Sequence, residues 1–184
     1  AIVRDVLSFA REMRVRPEPT PPSEIFDAAT DSPRAAGPWE AAVSFERLDR
    51  GAGRPGRVWC DRSLALQAVL NVIENARQAE PGGRIVLDSS RVELRSGDGR
   101  SAPGTALIVR DAGPGVDEGV LARMFNPFFT TREAGTGLGL AIVHRIVDAH
   151  GGGVVVRNNR DGSAGARGAT VELRFPDQET ERHG

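Results

Sequence analysis

From Ser63 to Ala79 the chain reads as one long helix that is apolar around most of its circumference. Ala65, Leu66, Val69, Leu70, Val72, Ile73 and Ala76 supply faces that other elements must cover. A polar line runs through them. Gln67, Asn71, Asn75 and Gln78 follow one another at spacings of 4, 4 and 3, which puts all four on one side of a helix. Uncharged amides among apolar side chains cost free energy unless something satisfies them. Water along a solvated stripe would do so, as would a metal ion and phosphates bound against the row.

The neighbouring segments set the fold around this helix. Asp61 or Ser63 opens it and Pro81-Gly82-Gly83 ends it. Upstream, Ile2, Val6, Phe9 and Met13 recur at 4-3-4 spacing beside Val3, Leu7 and Ala10, two seams suited to a helix in a bundle. A lone helix that short is marginal in water, so residues 1–16 read as the end of a longer one. Pro17, Pro19, Pro21 and Pro22 stop it and make residues 17–22 a stiff connector. Ser23 is suited to cap a short helix through Ala29 with Ile25, Phe26 and Ala29 on one side, and residues 30–38 read as loop. Strand patterns follow at 42–48 and 57–60 around the turn-rich GAGRPG, then at 84–94 and 105–110 around the polar loop SGDGRSAPG. Helices at 117–124 and 139–149, strands at 153–158 and 169–175, and a mobile tail at 177–184 complete the order. This indicates an α+β fold, an α/β sandwich whose mixed, mostly antiparallel sheet carries helices on one face, spanning 23–176 and preceded by a helical stump.

Composition excludes several chemistries. The formal charge of −1 gives no long-range attraction to nucleic acid or anionic membrane. All 24 Lys-or-Arg positions are arginine. A Walker-type phosphate loop needs a lysine and is ruled out, and any side-chain cation on phosphate must be arginine. The single Cys60, in the apolar VWCD, cannot form an internal disulfide and reads as a small buried hydrophobe. No apolar run approaches the roughly 20 residues of a bilayer span, so the chain as given reads as soluble and cytoplasmic, which is compatible with a membrane-anchored parent. His144, His150 and His183 lie outside any acidic helical setting expected of a phosphorylated histidine.

Three further motifs follow the amide-bearing helix. Asp111 ends the apolar run ALIVR and opens DAGPG, where Gly113 and Gly115 let a ligand lie close to backbone. FNPFFTTR, from Phe125, sets three phenylalanines around a proline ahead of Thr130, Thr131 and Arg132. GTGLGLAIV places Gly135, Gly137 and Gly139 before a helix, whose first amides form an anion site. The spacing is G-x-G-x-G with no βαβ unit, which argues against a dinucleotide-binding fold. A closing GAT begins at Gly168.

In this order and spacing, NVIENARQA, DAGPG, FNPFFTTR, GTGLGLAIV and GAT resemble the catalytic, ATP-binding domain of bacterial sensor histidine kinases, within the gyrase/chaperone/histidine kinase/MutL ATPase superfamily. The resemblance covers roughly residues 58–176. The short segment between Phe125 and Gly135 is similar to the compact ATP lid of nitrogen-regulatory and oxygen-sensing kinases. The resemblance implies ATP and Mg2+ as cofactors, with Asn75 as the metal ligand through its side-chain oxygen and Asn71 orienting phosphate or a bound water. It implies that Asp111 accepts from the adenine amino group, with Gly113 and Gly115 beside the base. Gln78, Phe128, Thr131, Arg132, Gly135, Thr136, Gly137, Leu138, Gly139, Leu140 and Thr170 complete the implied nucleotide site, and Asn71, Asn75 and Arg132 its catalytic set. Phe125 and Phe128 would pin the lid. The family often has a basic residue where Gln78 stands, and a lysine where Arg132 stands.

The same resemblance implies transfer of the γ-phosphate to a histidine on a dimerisation domain absent from this chain, and from there to the receiver domain of a response regulator. Residues 1–16 would then be the end of the second dimerisation helix, 17–22 the hinge, and the intact protein a homodimer. Hydrolysing members carry a glutamate where this chain has Asn71, and Glu74 is rotated roughly 100° from Asn75 on an ideal helix. Transfer to a side chain fits better than a hydrolytic clamp. A nucleotide-binding pseudo-kinase and an anti-sigma-type serine kinase are the alternatives.

Overall fold

The computed structural model describes residues 13–36, 44–48, 56–95, 99, 101–131, 135–159 and 167–177. The expected N-terminal helix up to residue 12, Arg132 and the tail beyond Asp177 lie outside the described residues. In chain order the elements are β1 (Glu18–Thr20), α1 (Pro22–Thr30), α2 (Pro33–Ala36), β2 (Ser44–Arg47), β3 (Val58–Cys60), α3 (Arg62–Ala79), β4 (Arg84–Arg95), β5 (Ser101–Arg110), α4 (Glu118–Leu121), α5 (Gly139–Ala149), β6 (Gly153–Asn158) and β7 (Ala169–Pro176).

The main sheet has the order β2-β4-β5-β7-β6. Only the edge pair β2–β4 is parallel; β4–β5, β5–β7 and β6–β7 are antiparallel. The expected mixed, mostly antiparallel sheet with helices on one face is therefore present. Strand alternation turns Ile85, Leu87, Leu107, Val109, Val171, Leu173 and Phe175 toward the helices. There they meet Val69, Val72 and Ile73 of α3 and Ile142, Val143 and Ile146 of α5. Burying each such side chain fully contributes about 1.5–3 kcal/mol, and Ile25 and Phe26 of α1 close the far side of α3. Cys60 sits in this core, where burial pushes its thiol up to about 12.

The opposite face of the sheet has no helical cover among the described residues, yet Ala106 and Ile108 are buried there. Arg110 pairs with Asp88, and Arg157 and Arg174 both pair with the buried Glu172, across this face.

Four local expectations are corrected. Part of the proline-rich connector is a strand, because β1 lies antiparallel to β3 with Pro19 opposite Trp59. A two-stranded ribbon is all edge, so a residue without an N–H fits. The cap of α1 is Pro21, with Pro22 in the first turn, and not Ser23. The polar loop after β4 is shorter than its composition suggests, since Ser101 to Gly104 pair with β4 up to Arg95. Within the stretch read as loop at 30–38, Pro33–Ala36 form a helical turn.

Asp61 caps α3 as expected. Its Oδ1 accepts from the N–H groups of Ser63 and Leu64 at 3.1 and 3.2 Å, and its Oδ2 from the Arg16 N–H at 3.2 Å. His150, at the end of α5, ties in here. Its Nε2 accepts from the Asp61 N–H at 2.9 Å while Nδ1 lies 2.6 Å from the Ile146 carbonyl, so the ring carries its proton on Nδ1. His150 thus fastens the end of α5 to the start of α3.

Candidate functional site

A cavity of about 540 Å³ opens along α3, between the loop after β5 and the start of α5. That is within the range of small-molecule sites. One end is lined by Ala79, Asp111, Gly115 and Val116, the other by Asn71, Arg34, Thr136 and Gly139. The eight steps along α3 from Asn71 to Ala79 set these ends roughly 12 Å apart, so the site suits an elongated ligand lying along the helix.

At the Asp111 end, Asp111 Oδ1 accepts from the N–H groups of Gly113 at 2.9 Å and Ala169 at 3.1 Å. Oδ2 makes no hydrogen bond among the described residues. Desolvation by burial pushes the Asp111 carboxyl above the usual carboxylate range, opposed by those two backbone donors. The result is an acceptor, held from behind, with one oxygen left for a ligand donor. Two asparagines, the last residue of β6 and the one after it, hold the loop. Asn158 clamps Val116 through its N–H at 2.7 Å and its carbonyl at 2.8 Å. Asn159 donates to the Asp111 carbonyl at 2.9 Å and accepts from Thr170 Oγ1 at 2.6 Å. The glycine of GAT has a steric reason: Gly168 has φ +110°, and a Cβ there would lie 1.9 Å from the Asp111 carbonyl oxygen.

At the other end the amide line faces the cavity, with Asn71, Asn75 and Gln78 all on the wall. Asn71 is engaged at both ends of its amide, with capacity left on each: Nδ2 donates to the Gly139 carbonyl at 3.3 Å, and Oδ1 accepts from Arg34 Nη2 at 2.9 Å. Arg34 also reaches Glu74 Oε2 at 3.3 Å. Asn75 is not saturated, its buried Nδ2 having no hydrogen-bond partner. Leaving such a group unmet costs about 1–3 kcal/mol, and it sits where a ligand would meet it. No group of three or more His, Cys, Asp or Glu side chains suited to a metal occurs among the described residues. Magnesium does not need one, since a single side-chain carbonyl plus phosphate oxygens and water suffice; the amide wall around Asn75 fits that requirement.

Over the cavity, Phe125 packs against His144 with ring centroids 5.6 Å apart. Phe129 lines the wall and carries the Arg123 guanidinium 4.9 Å above its ring. Phe128 turns away: φ is +66° and the side chain is 65% exposed. Its N–H donates to the Gly137 carbonyl at 3.0 Å, and a Cβ on Gly137 would fall 2.4 Å from the Phe128 backbone.

The structure thus brings Asn71, Asn75, Gln78, Asp111, Gly115, Thr131, Gly135, Thr136, Gly137, Gly139 and Leu140 to one wall. Four expected residues stand elsewhere. Thr170 faces the other side of the sheet, because alternation along β7 gives Ala169 and Val171 to the cavity. Leu138 is fully buried in the core. Gly113 acts through its N–H on Asp111, and Phe128 points outward while its neighbour Phe129 lines the site. Expected Arg132 lies outside the described residues. Sequence reasoning missed Arg34, Asn158 and Asn159. Nothing local marks any of the three, whose bonds to Asn71, Val116 and Asp111 span long stretches of sequence.

A family model described as histidine kinase-, DNA gyrase B-, and HSP90-like ATPase matches residues 60–179. The chain is 40% identical over 102 residues to the sensory histidine kinase/phosphatase NtrB of Azospirillum brasilense, covering 52% of this chain and 26% of that protein. It is 37% identical over 117 residues to the signal transduction histidine-protein kinase AtoS of Escherichia coli K12, covering 63% and 17%. The chain therefore spans about a quarter or less of these relatives. Among solved structures, the mycobacterial sensor histidine kinase MprB superposes with TM-score 0.67 at 27% identity, covering 90% of this chain and 100% of that one. Full-length ShkA in complex with AMPPNP superposes with TM-score 0.71 at 28% identity, covering 97% and 36%.

Proposed function

This chain belongs to the histidine kinase-, DNA gyrase B- and HSP90-like ATPase family, and from that premise we propose that it is the catalytic domain of a sensor histidine kinase, transferring the γ-phosphate of Mg-ATP to a histidine on a dimerisation domain. The observation that carries the nucleotide reading is the cavity with two unlike ends: a carboxylate with one open oxygen at one, and an amide wall with the buried Asn75 Nδ2 unmet, beside a helix start, at the other. Asp111 accepts from the adenine amino group. The backbone at Gly135 to Gly139 and the amides of Asn71 and Asn75 meet the phosphates. Asn75 would hold magnesium through Oδ1; when bound, the ion neutralises charge that builds on the transferring group.

Transfer rather than hydrolysis rests on Asn71. A neutral carboxamide has no basicity with which to take a proton from water, so Asn71 positions and stabilises rather than activates a nucleophile. The relatives named as histidine kinases support a histidine acceptor. Dimerisation helices of the same protein and a response-regulator receiver domain would be the partners, and a cytoplasmic setting follows from them. No helix among the described residues is long and apolar enough to cross a membrane.

The test is calorimetry with AMP-PNP with and without Mg2+, followed by γ-labelled ATP and a separately supplied dimerisation domain. Magnesium-dependent binding that Asn75→Asp weakens at least tenfold, and label on histidine, are expected. Steady ATP turnover by the isolated chain, or Mg-dependence untouched by Asn75→Asp, would overturn the transfer reading and the metal assignment respectively.

A further inference from the structure

Among the described residues lining the cavity Arg34 is the one cation, while Glu74, Asp111 and Asp117 put carboxylates on the same wall. That balance is wrong for a polyphosphate unless positive charge is concentrated where the phosphates lie. The chain has no lysine, and Gln78 leaves α3 without a basic residue facing the site.

Arg34 comes from outside the stretch matched by the family model, residues 60–179. It is nonetheless fastened to the phosphate end. Nη2 donates to Asn71 Oδ1 at 2.9 Å and to Glu74 Oε2 at 3.3 Å, and the Arg34 carbonyl accepts from Arg77 Nη1 at 3.4 Å. Asn71 in turn bonds the Gly139 carbonyl, at the start of α5. Both side-chain contacts use Nη2. The donors on Nε and Nη1 make no hydrogen bond among the described residues, and the side chain is 49% exposed. With Nη2 anchored by Asn71 and Glu74, Nη1 is left to donate to a phosphate oxygen, and the fixed guanidinium charge sits on the cavity wall beside it.

We infer that Arg34 is a terminal-phosphate ligand of this site and sets its preference for a nucleoside triphosphate over a diphosphate. The inference rests on the nucleotide reading above. A purely structural Arg34–Glu74 pair at this exposure would be nearly neutral for the fold and would not distinguish the two ligands.

Calorimetry on this chain with Mg-AMP-PNP and Mg-ADP separates the cases. Arg34→Gln is expected to weaken AMP-PNP about tenfold, the lower end of a charge-assisted hydrogen bond, and to leave ADP within twofold. Glu74→Gln, which removes the carboxylate competing for Nη2, should raise the AMP-PNP to ADP preference. An unchanged ratio in both variants overturns the inference, as does equal loss of both ligands in Arg34→Gln, which would mean that the residue acts only through Asn71. Tighter AMP-PNP binding by Arg34→Gln also overturns it, by making the guanidinium an obstacle. If the unaltered chain binds neither ligand, the nucleotide reading itself fails; if it binds both and only the ratio test fails, that reading stands without Arg34.

Discussion

Replacing Asp111 by Asn should invert the base preference of the site rather than merely weaken it. Asp111 Oδ1 accepts from two backbone N–H groups, Gly113 at 2.9 Å and Ala169 at 3.1 Å. An asparagine must keep its oxygen there, because its NH2 group would otherwise face two donors. Nδ2 is then forced into the position of Oδ2 and presents a donor to the amino group of adenine. The lost charge-assisted bond costs about 1.5–3 kcal/mol, and two opposed donors left unmet add about 1–3 kcal/mol. A loss of roughly a hundredfold or more in ADP affinity follows. IDP, whose base carries a carbonyl where adenine has its amine, meets the new donor and should bind the variant better than ADP does. Calorimetry with the ADP and IDP pair keeps the terminal phosphate out of the comparison. Thermal stability should hardly change, since both backbone bonds survive and the buried charge is gone.

Acid supplies a second readout of the same residue. Burial holds the Asp111 carboxyl above its ordinary value, so its ionised form is disfavoured in the fold. As pH falls through that window, this group's contribution to stability rises while adenine affinity is lost with the acceptor. ADP affinity of the unaltered chain, normalised to the pH profile of Asp111→Asn, should therefore fall toward acid. Retention of ADP affinity within threefold in the variant, or equal loss of ADP and IDP, would refute the reasoning.

Two further substitutions test the frame behind the site. Gly168→Ala meets both a φ of +110° and the Asp111 carbonyl oxygen at 1.9 Å; a stability loss of about 2–4 kcal/mol in denaturant titration is expected, and a change below 0.5 kcal/mol would contradict it. Asn158→Ala removes both bonds to the Val116 backbone. Its ADP affinity should fall several-fold at a loss of about 1–2 kcal/mol in stability, and unaltered ADP binding would show that the loop holds itself.

How much was legible in the sequence follows the range of the interactions involved. The amide line of α3 and the Asp61 cap were readable because both are local to one helix, the line at spacings of three and four and the cap at two and three. Thr170 belongs to the motif the resemblance rests on, yet strand alternation gives Ala169 and Val171 to the cavity and turns Thr170 to the other face. The start of β5 was hidden: Ser101-Ala102-Pro103-Gly104 has loop composition, and a ladder to β4 overrides it. Phe128 and Phe129 are chemically identical, and only the left-handed backbone at Phe128 decides which faces the cavity. Arg34 depends on contacts 37 and 40 residues away, beyond any local pattern.

One carboxylate, Asp61, holds both the first turn of α3 and the incoming peptide at Arg16, one oxygen for each. With β1 zipped to β3 directly before it, the chain enters the domain along a taut strap whose buckle is the base of the ligand-facing helix. The entry to the domain is thereby tied by hydrogen bonds to the first turn of the same helix whose later turns carry Asn71 and Asn75.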